Sequence, residues 1–161
     1  MRNSDIARMM LLVLGCIGLA NADTPTRPPF DHIICADSIR HCAYVSVVEG
    51  VKVFEVTSGR SGEPSYSIAG WFPQSYLSDD GQKFVAIESI IAAGHESDQP
   101  VARLWIAGHP ARNWLLKDIL KGKSPSRSTS GYVWGHAVGF RGNDQFMLQL
   151  ENGSSYALEL R

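Results

Sequence analysis

Short runs of β-branched and aromatic residues, separated by turn-forming residues, make up most of the chain. Cys42–Val48 and Val51–Thr57 are two such runs, and only Glu49-Gly50 lies between them. Residues of these types favour strands, so the pair predicts a β-hairpin. Apolar residues occur on both faces of the second run, which predicts a strand that is covered on both sides.

A second hairpin is predicted around Asp79–Gly81. This turn separates the apolar runs Ser65–Leu77 and Gln82–Ile87. Glycine adopts the positive φ that many tight turns require, and aspartate favours the preceding turn positions. Val101–Ala107 is a further apolar run and predicts another strand.

The C-terminal region shows the clearest two-residue period. Large apolar residues occupy every second position of Phe146–Leu150 and again of Tyr156–Leu160. Asn152-Gly153 lies between the two runs and is the dipeptide typical of a type I′ turn. The pattern predicts a hairpin with one buried face.

Only Asn113–Lys121 has helical periodicity, with four aliphatic residues at helical spacing and Asn113 as a candidate N-cap. Because it spans about two turns, we expect a connector and not a framework helix. The whole pattern predicts an all-β domain of antiparallel hairpins in a meander, with one short helical turn.

The first 22 residues have the layout of a secretory signal peptide. Arg2 and Arg8 precede an apolar run, and the run ends at the small-x-small sequence Ala20–Ala22. Cys16 leaves lipidation as an alternative. We therefore predict a signal peptide over 1–22, a single β-rich domain over 23–161, and a periplasmic or secreted location without stable membrane insertion.

Charge and cysteine content narrow the function classes. The chain has 15 basic and 16 acidic residues, and removal of the signal leaves 13 and 15. This balance does not favour nucleic acid as a partner. Cys35 and Cys42 would be the cysteines remaining, and in an oxidising compartment they predict a disulfide. A redox pair or half a metal site is the alternative, although the C-x-x-C spacing is missing.

Catalytic and cofactor motifs are weak. The sequence contains no G-x-S-x-G, no H-E-x-x-H and no glycine-rich loop that leads into a long helix. We predict no metal and no cofactor. Ser130 or Ser128 with His136 could form a hydrolase nucleophile and base, but a triad is defined by geometry and not by sequence proximity.

Trp71–Ile87 resembles a pattern in uncharacterised exported bacterial proteins. The pattern has an aromatic-proline lead, S-D/P-D-G and a strand that begins with a basic residue. The resemblance covers roughly residues 65–160 and implies an exported β-rich fold with blade-like hairpins, without implying an activity. It continues through Val101–Ala107, Leu115–Leu120, Ser128–Gly135 and Phe146–Leu160.

The serine-rich segment before Trp134 is the main candidate for recognition. Basic residues gather there, and tyrosine and tryptophan are residue types that anchor interfaces. A surface connection is the alternative reading of the same segment. The candidate partner-binding residues are Lys123, Ser126, Arg127, Ser128, Thr129, Ser130, Tyr132, Trp134 and His136.

Compartment, size, β-rich build and this loop together make the chain similar to periplasmic immunity proteins. Those proteins protect bacteria from the cell-wall amidases of type VI secretion, and a loop can plug the active cleft of the effector. The resemblance implies a non-enzymatic inhibitor with a cell-wall amidase or a similar effector as its partner. A small cell-envelope hydrolase that uses Ser130 and His136, or a structural envelope protein, is the alternative.

Overall fold

A computed structural model describes residues 28–57, 60–88, 90–91, 99–122, 124–127 and 132–161. This part of the chain contains fifteen strands and one short helix, and the strand pairs are antiparallel. The predicted all-β class is therefore confirmed. The predicted signal peptide lies outside the described residues.

The first sheet is built from the N-terminal hairpins. Its order is β1-β2-β3, and two short strands both pair with β3. The predicted hairpin of the first two apolar runs is confirmed, with Ala43 opposite Val53. The strands are β1 (His32–Cys35), β2 (His41–Ser46), β3 (Gly50–Thr57), β4 (Arg60–Ser61) and β5 (Tyr66–Ile68).

The second sheet has the order β10-β9-β7-β6 and contains the predicted strand over residues 101–107. Its neighbours in the sheet follow one another along the chain, apart from β8, which belongs to a small separate sheet with β11 and β12. The strands are β6 (Ser75–Leu77), β7 (Lys83–Ile87), β8 (Ile90–Ile91), β9 (Pro100–Ile106) and β10 (His109–Leu115).

The third sheet has the order β13-β14-β15 and forms the C-terminal end of the described chain. Helix α1 (Leu116–Leu120) and the other two strands of the small sheet lie between the second and third sheets in sequence. The strands are β11 (Ser126–Arg127), β12 (Tyr132–Val133), β13 (Gly135–Arg141), β14 (Gln145–Leu150) and β15 (Ser155–Glu159).

The second sheet lies between two hydrophobic cores. Phe84 and Trp105 are cross-strand partners that pack toward the first sheet. The next pair, Val85 and Leu104, packs toward the third sheet and α1. Successive side chains of a strand point to opposite faces, so a strand buried on both faces needs apolar residues at consecutive positions. The sequence of β7 meets that requirement.

The first sheet is covered on one face only. Val51 and Val53 are buried, whereas Val56 on the opposite face is 40% exposed. The prediction that this strand is covered on both sides is therefore wrong. Apolar residues on the second face of β3 do not meet another layer, because no other sheet described packs on that side.

The turn at Asp79–Gly81 is confirmed. Gly81 has φ +68°, and its N–H donates to the carbonyl of Ser78 at 2.9 Å. The carboxylate of Asp80 accepts the Ser78 hydroxyl at 2.6 Å and the Gln82 N–H at 3.0 Å. These bonds hold the turn in one conformation.

The C-terminal hairpin is confirmed, but its turn differs from the predicted one. A type I′ turn needs positive φ at both central residues. Gly153 has φ +80°, whereas Asn152 is not among the residues with positive φ. The hydrogen bonds Gly153 N–H to Leu150 O and Leu150 N–H to Ser154 O enclose a three-residue loop, in which glycine takes the left-handed position.

The helix is shorter than expected and begins after Leu115, so Asn113 is not its cap. Asn113 instead pairs with Arg103 in the edge strand β10. Sequence reasoning missed this strand because its first five residues are exposed and do not alternate between apolar and polar types. Ala107 and Gly108 both have positive φ, which makes the preceding turn a type I′ turn without its usual Asn-Gly signature.

Candidate functional site

The predicted recognition segment begins and ends in paired strands. In the small sheet, Arg127 lies opposite Tyr132, and Tyr132 lies opposite Ile91 of β8. Ser126 occupies the next register position, opposite Val133. The backbone of Ser126, Arg127 and Tyr132 is thus held in a three-stranded ladder. Four predicted residues lie outside the described residues: Lys123, Ser128, Thr129 and Ser130.

Trp134 is not a surface anchor. Its side chain has no exposed surface, and its indole Nε1–H donates to the carbonyl of Glu88 at 2.8 Å. Its own carbonyl accepts the N–H of Glu151 at 3.1 Å. The expectation that Trp134 lies on an exposed edge is therefore wrong. The sequence placed it next to polar residues, but an indole with a satisfied N–H packs well in a core.

His136 is exposed on β13, opposite Gln149 of β14. Its proposed nucleophiles, Ser128 and Ser130, lie outside the described residues, so the pairing of a serine with His136 stays a prediction. Among the residues described, no group of three or more histidine, cysteine, aspartate or glutamate side chains could hold a metal ion.

A small cavity of about 110 Å³ lies beside the base of the recognition segment. The side chain of Trp134 forms its wall from the core, and α1 and the C-terminal turn close its sides. The lining residues are Leu120, Ser124, Pro125, Trp134, Leu150, Glu151 and Asn152. The described ends of the segment therefore lie next to a recess that is lined by one carboxylate, Glu151, and by the polar side chains of Ser124 and Asn152.

A second cavity of about 120 Å³ is lined in part by Glu88, a residue that sequence reasoning did not single out. Trp71 and Phe72 supply aromatic walls, and Arg103 lines the same space. Burial raises the pKa of the Glu88 carboxyl, and the nearby charge of Arg103 partly opposes that rise. Its carbonyl carries the bond from Trp134, so this cavity and the base of the segment share one backbone position.

The predicted disulfide is confirmed. Cys35 and Cys42 are direct cross-strand partners of β1 and β2, and their sulfur atoms are bonded. The loop that it closes contacts the second sheet, because the Ser38 N–H donates to the Asp79 carboxylate at 2.9 Å. The imidazole Nδ1 of His41 lies 2.9 Å from the Asp79 carbonyl. The disulfide thus fixes a loop of the first sheet that is hydrogen-bonded to a turn of the second sheet.

No helix within the described residues has both the length and the apolar character needed to cross a membrane.

Comparisons with known proteins do not assign this chain to a family. No protein-family model and no curated protein sequence matches this chain. Among solved structures, the chain is similar to the one titled "Structure of U3-55K", with a TM-score of 0.42 and 11% identity. The match covers 80% of this chain and 35% of that chain, so this chain spans about a third of the length of its neighbour. A likeness of that size carries no inference about function.

Proposed function

We propose that the chain is a non-enzymatic binding protein of the periplasm or secreted space that inhibits a cell-wall-degrading enzyme through the segment 123–136. One observation carries the proposal: the described strands of this segment pair with each other and with β8, and Trp134, which follows them, lies in the core. Trp134 is buried with a satisfied indole N–H, and the strand before it pairs on both edges. An inhibitory loop needs such support, because a preorganised loop loses less entropy on binding.

The burial of Trp134 changes its role within the proposal. It positions the segment, and the partner-contacting surface is formed by the other candidate residues. Lys117 and Lys121, both exposed on or next to α1, are close in sequence to Lys123 and Arg127 and add positive charge. The partner surface is therefore expected to be acidic, because complementary charge speeds association and selects the partner.

The location rests on two features that support each other. The first 22 residues have the layout of a signal peptide. The Cys35–Cys42 disulfide suits an oxidising compartment such as the periplasm. A cell-wall amidase works in that same compartment, which makes an enzyme of this type a suitable partner.

The test is inhibition of purified cell-wall amidases acting on murein sacculi, with mature protein from Asp23 onward. We expect a stoichiometric complex with one of them. A double variant with Lys123→Ala and Arg127→Ala should bind about tenfold or more weakly. Lys52→Ala is the matched control, because it removes a lysine that pairs with Glu49 at 2.7 Å on the first sheet.

Ser130→Ala distinguishes this proposal from the hydrolase alternative. An inhibitor should still form its complex, only more weakly, when this hydroxyl is removed, whereas a hydrolase should lose turnover of the sacculi. The proposal fails if wild type inhibits none of the amidases, or if the double variant and the Lys52→Ala control bind equally well. Unchanged thermal unfolding of each variant shows that the domain is intact.

A further inference from the structure

Three edge strands, each from a different sheet, line one groove. In the described chain, β1, β6 and β13 each lie at the edge of a different sheet. Residues of all three strands line a groove of about 460 Å³, which is larger than the cavities beside Glu88 and Trp134. Its apolar side chains include Ile34, Tyr76, Val138 and Phe140.

Strand β6 presents backbone groups on the side away from its partner. The bonds of Ser78 N–H to Lys83 O and of Ile87 N–H to Gln74 O set the alternation of this antiparallel pair. By that alternation, the N–H and C=O groups of Ser75 and Leu77 point away from β7. No backbone partner for them occurs among the described residues, although both residues are more than 90% buried. Such groups gain from a hydrogen-bonding partner.

Strand β13 contributes an exposed apolar side chain at a bulge. The register with β14 shifts between Ala137 and Gly139, which leaves Val138 as the extra residue. Bulges re-aim side chains, and Val138 lines the groove with 62% of its surface exposed. An apolar side chain from a partner could pack against Val138 at this position.

The charge of the groove has one sign. Apart from the tyrosine and the disulfide, the ionisable residues of the described chain that line it are Asp37 and Asp79, and no lysine or arginine of that part lines it. Among the described residues, the Asp79 carboxylate accepts one hydrogen bond, from the backbone N–H of Ser38 at 2.9 Å. A cationic side chain complements this lining.

We propose that this groove binds an extended peptide segment of a partner protein, which adds as a strand along the edge of β6. An apolar residue of that segment packs on Val138, and a lysine or arginine lies beside Asp37 and Asp79. Main-chain bonds supply affinity in this mode of recognition, and the alternating side chains supply selectivity. The site goes beyond the proposed inhibitory segment, which leaves the domain at the other end of β13, near Gly135.

The probe is the synthetic peptide acetyl-Val-Lys-Val-Arg-Val-amide, titrated into the mature protein by calorimetry. We expect binding about tenfold or more tighter than that of acetyl-Val-Glu-Val-Glu-Val-amide or of a backbone N-methylated form of the probe. The double variant Asp37→Asn with Asp79→Asn should lose a similar factor. Val138→Lys should do so as well, by repulsion, without disturbing the core.

Glu63→Gln is the matched control, because it removes an exposed carboxylate that does not line the groove. The proposal is overturned if the probe does not bind, or if the N-methylated peptide binds as well as the probe. It is also overturned if arginine amide alone displaces the probe at equal concentration, since the groove would then take a small cation. Amidase inhibition by the Val138→Lys variant should remain, which separates this site from the segment 123–136.

Discussion

The first and second sheets differ in how many of their faces are buried. In the second sheet, the consecutive residues Phe84 and Val85 are both fully buried, one in each core. In the first sheet, Val53 is buried, while Ile33 on the outward face is 69% exposed. Apolar content alone does not distinguish these cases. A continuous apolar run such as β7 indicates two covered faces, whereas a run broken by lysine and glutamate, as in β3, indicates one.

The outer sheet makes up for its single core with local bonds. The carboxylate of Asp31 accepts the Tyr44 hydroxyl at 2.6 Å and the Val47 N–H at 2.8 Å. These bonds, with that of Tyr44 first, lower the pKa of Asp31. The Cys35–Cys42 disulfide also joins β1 to β2. Strand pairs with little core are commonly reinforced in these ways.

The largest expected effect is on the doubly covered sheet. Phe84→Ala removes a fully buried ring that contacts the rings of Phe72 and Trp105, and should cost about 3–5 kcal/mol of unfolding free energy. Ile33→Ala, at an exposed position, should change it by no more than about 0.5 kcal/mol. Urea denaturation of both variants measures the difference. Equal losses would show that the outward face of the first sheet is covered.

A smaller effect is expected at the β6–β7 turn of the second sheet, which contacts the first sheet through His41. Gly81→Ala forces a side chain into φ +68° and would place its Cβ against the His41 side chain, whose atoms lie 2.4–3.0 Å away. Gly153→Ala has a similar φ of +80°, but nothing lies within 4 Å. The left-handed conformation alone costs about 1–2 kcal/mol. Gly81→Ala should therefore exceed Gly153→Ala in loss of unfolding free energy, and equal losses would contradict the close approach of the sheets.

The smallest effect concerns the contact between the second and third sheets. Lys83 and Arg161 both donate to the Asp144 carboxylate, at 3.1 and 3.2 Å. These bonds, with that of Lys83 first, lower the pKa of Asp144. Because its folded pKa is lowered, Asp144 stabilises the domain above the ordinary aspartate pKa of about 4. That stabilisation is lost as the pH falls through the lower folded value.

Asp144→Asn should accordingly be less stable than wild type at neutral pH and should show a shallower loss of stability on acidification. Glu63→Gln is the control, because it removes an exposed carboxylate from a loop. Urea midpoints measured from neutral to acidic pH provide the comparison. Parallel curves for wild type and Asp144→Asn would refute the role of these ion pairs.

The elements that sequence reasoning predicted correctly have local causes. Asp79–Gly81 forms its turn through its own side chains and its glycine, and Phe146–Leu150 alternates because one face meets the core. Strand β10 was missed because its pairing with β9, and not its composition, makes it a strand. The helix limit shifted for the same reason, since Asn113 bonds in the ladder instead of capping.

The candidate sites divide in the same way. The disulfide could be predicted because two cysteines lie close in sequence and the signal-peptide pattern led us to expect an oxidising compartment. The burial of Trp134 could not, because it depends on a carbonyl 46 residues away in sequence, that of Glu88. The groove beside β6 was also missed, since it is formed by edges of three sheets.

Residue order thus determines the β-rich class, the main turns and the cysteine pair, because period, glycine and spacing act over a few neighbouring positions. Tertiary structure alone decides which sheet is covered twice, where Trp134 points and which strand edges meet. These properties arise from contacts between residues far apart in the chain, and each depends on how whole sheets pack. The packing of the sheets therefore places the residues of the candidate sites next to one another, which no single sequence motif does.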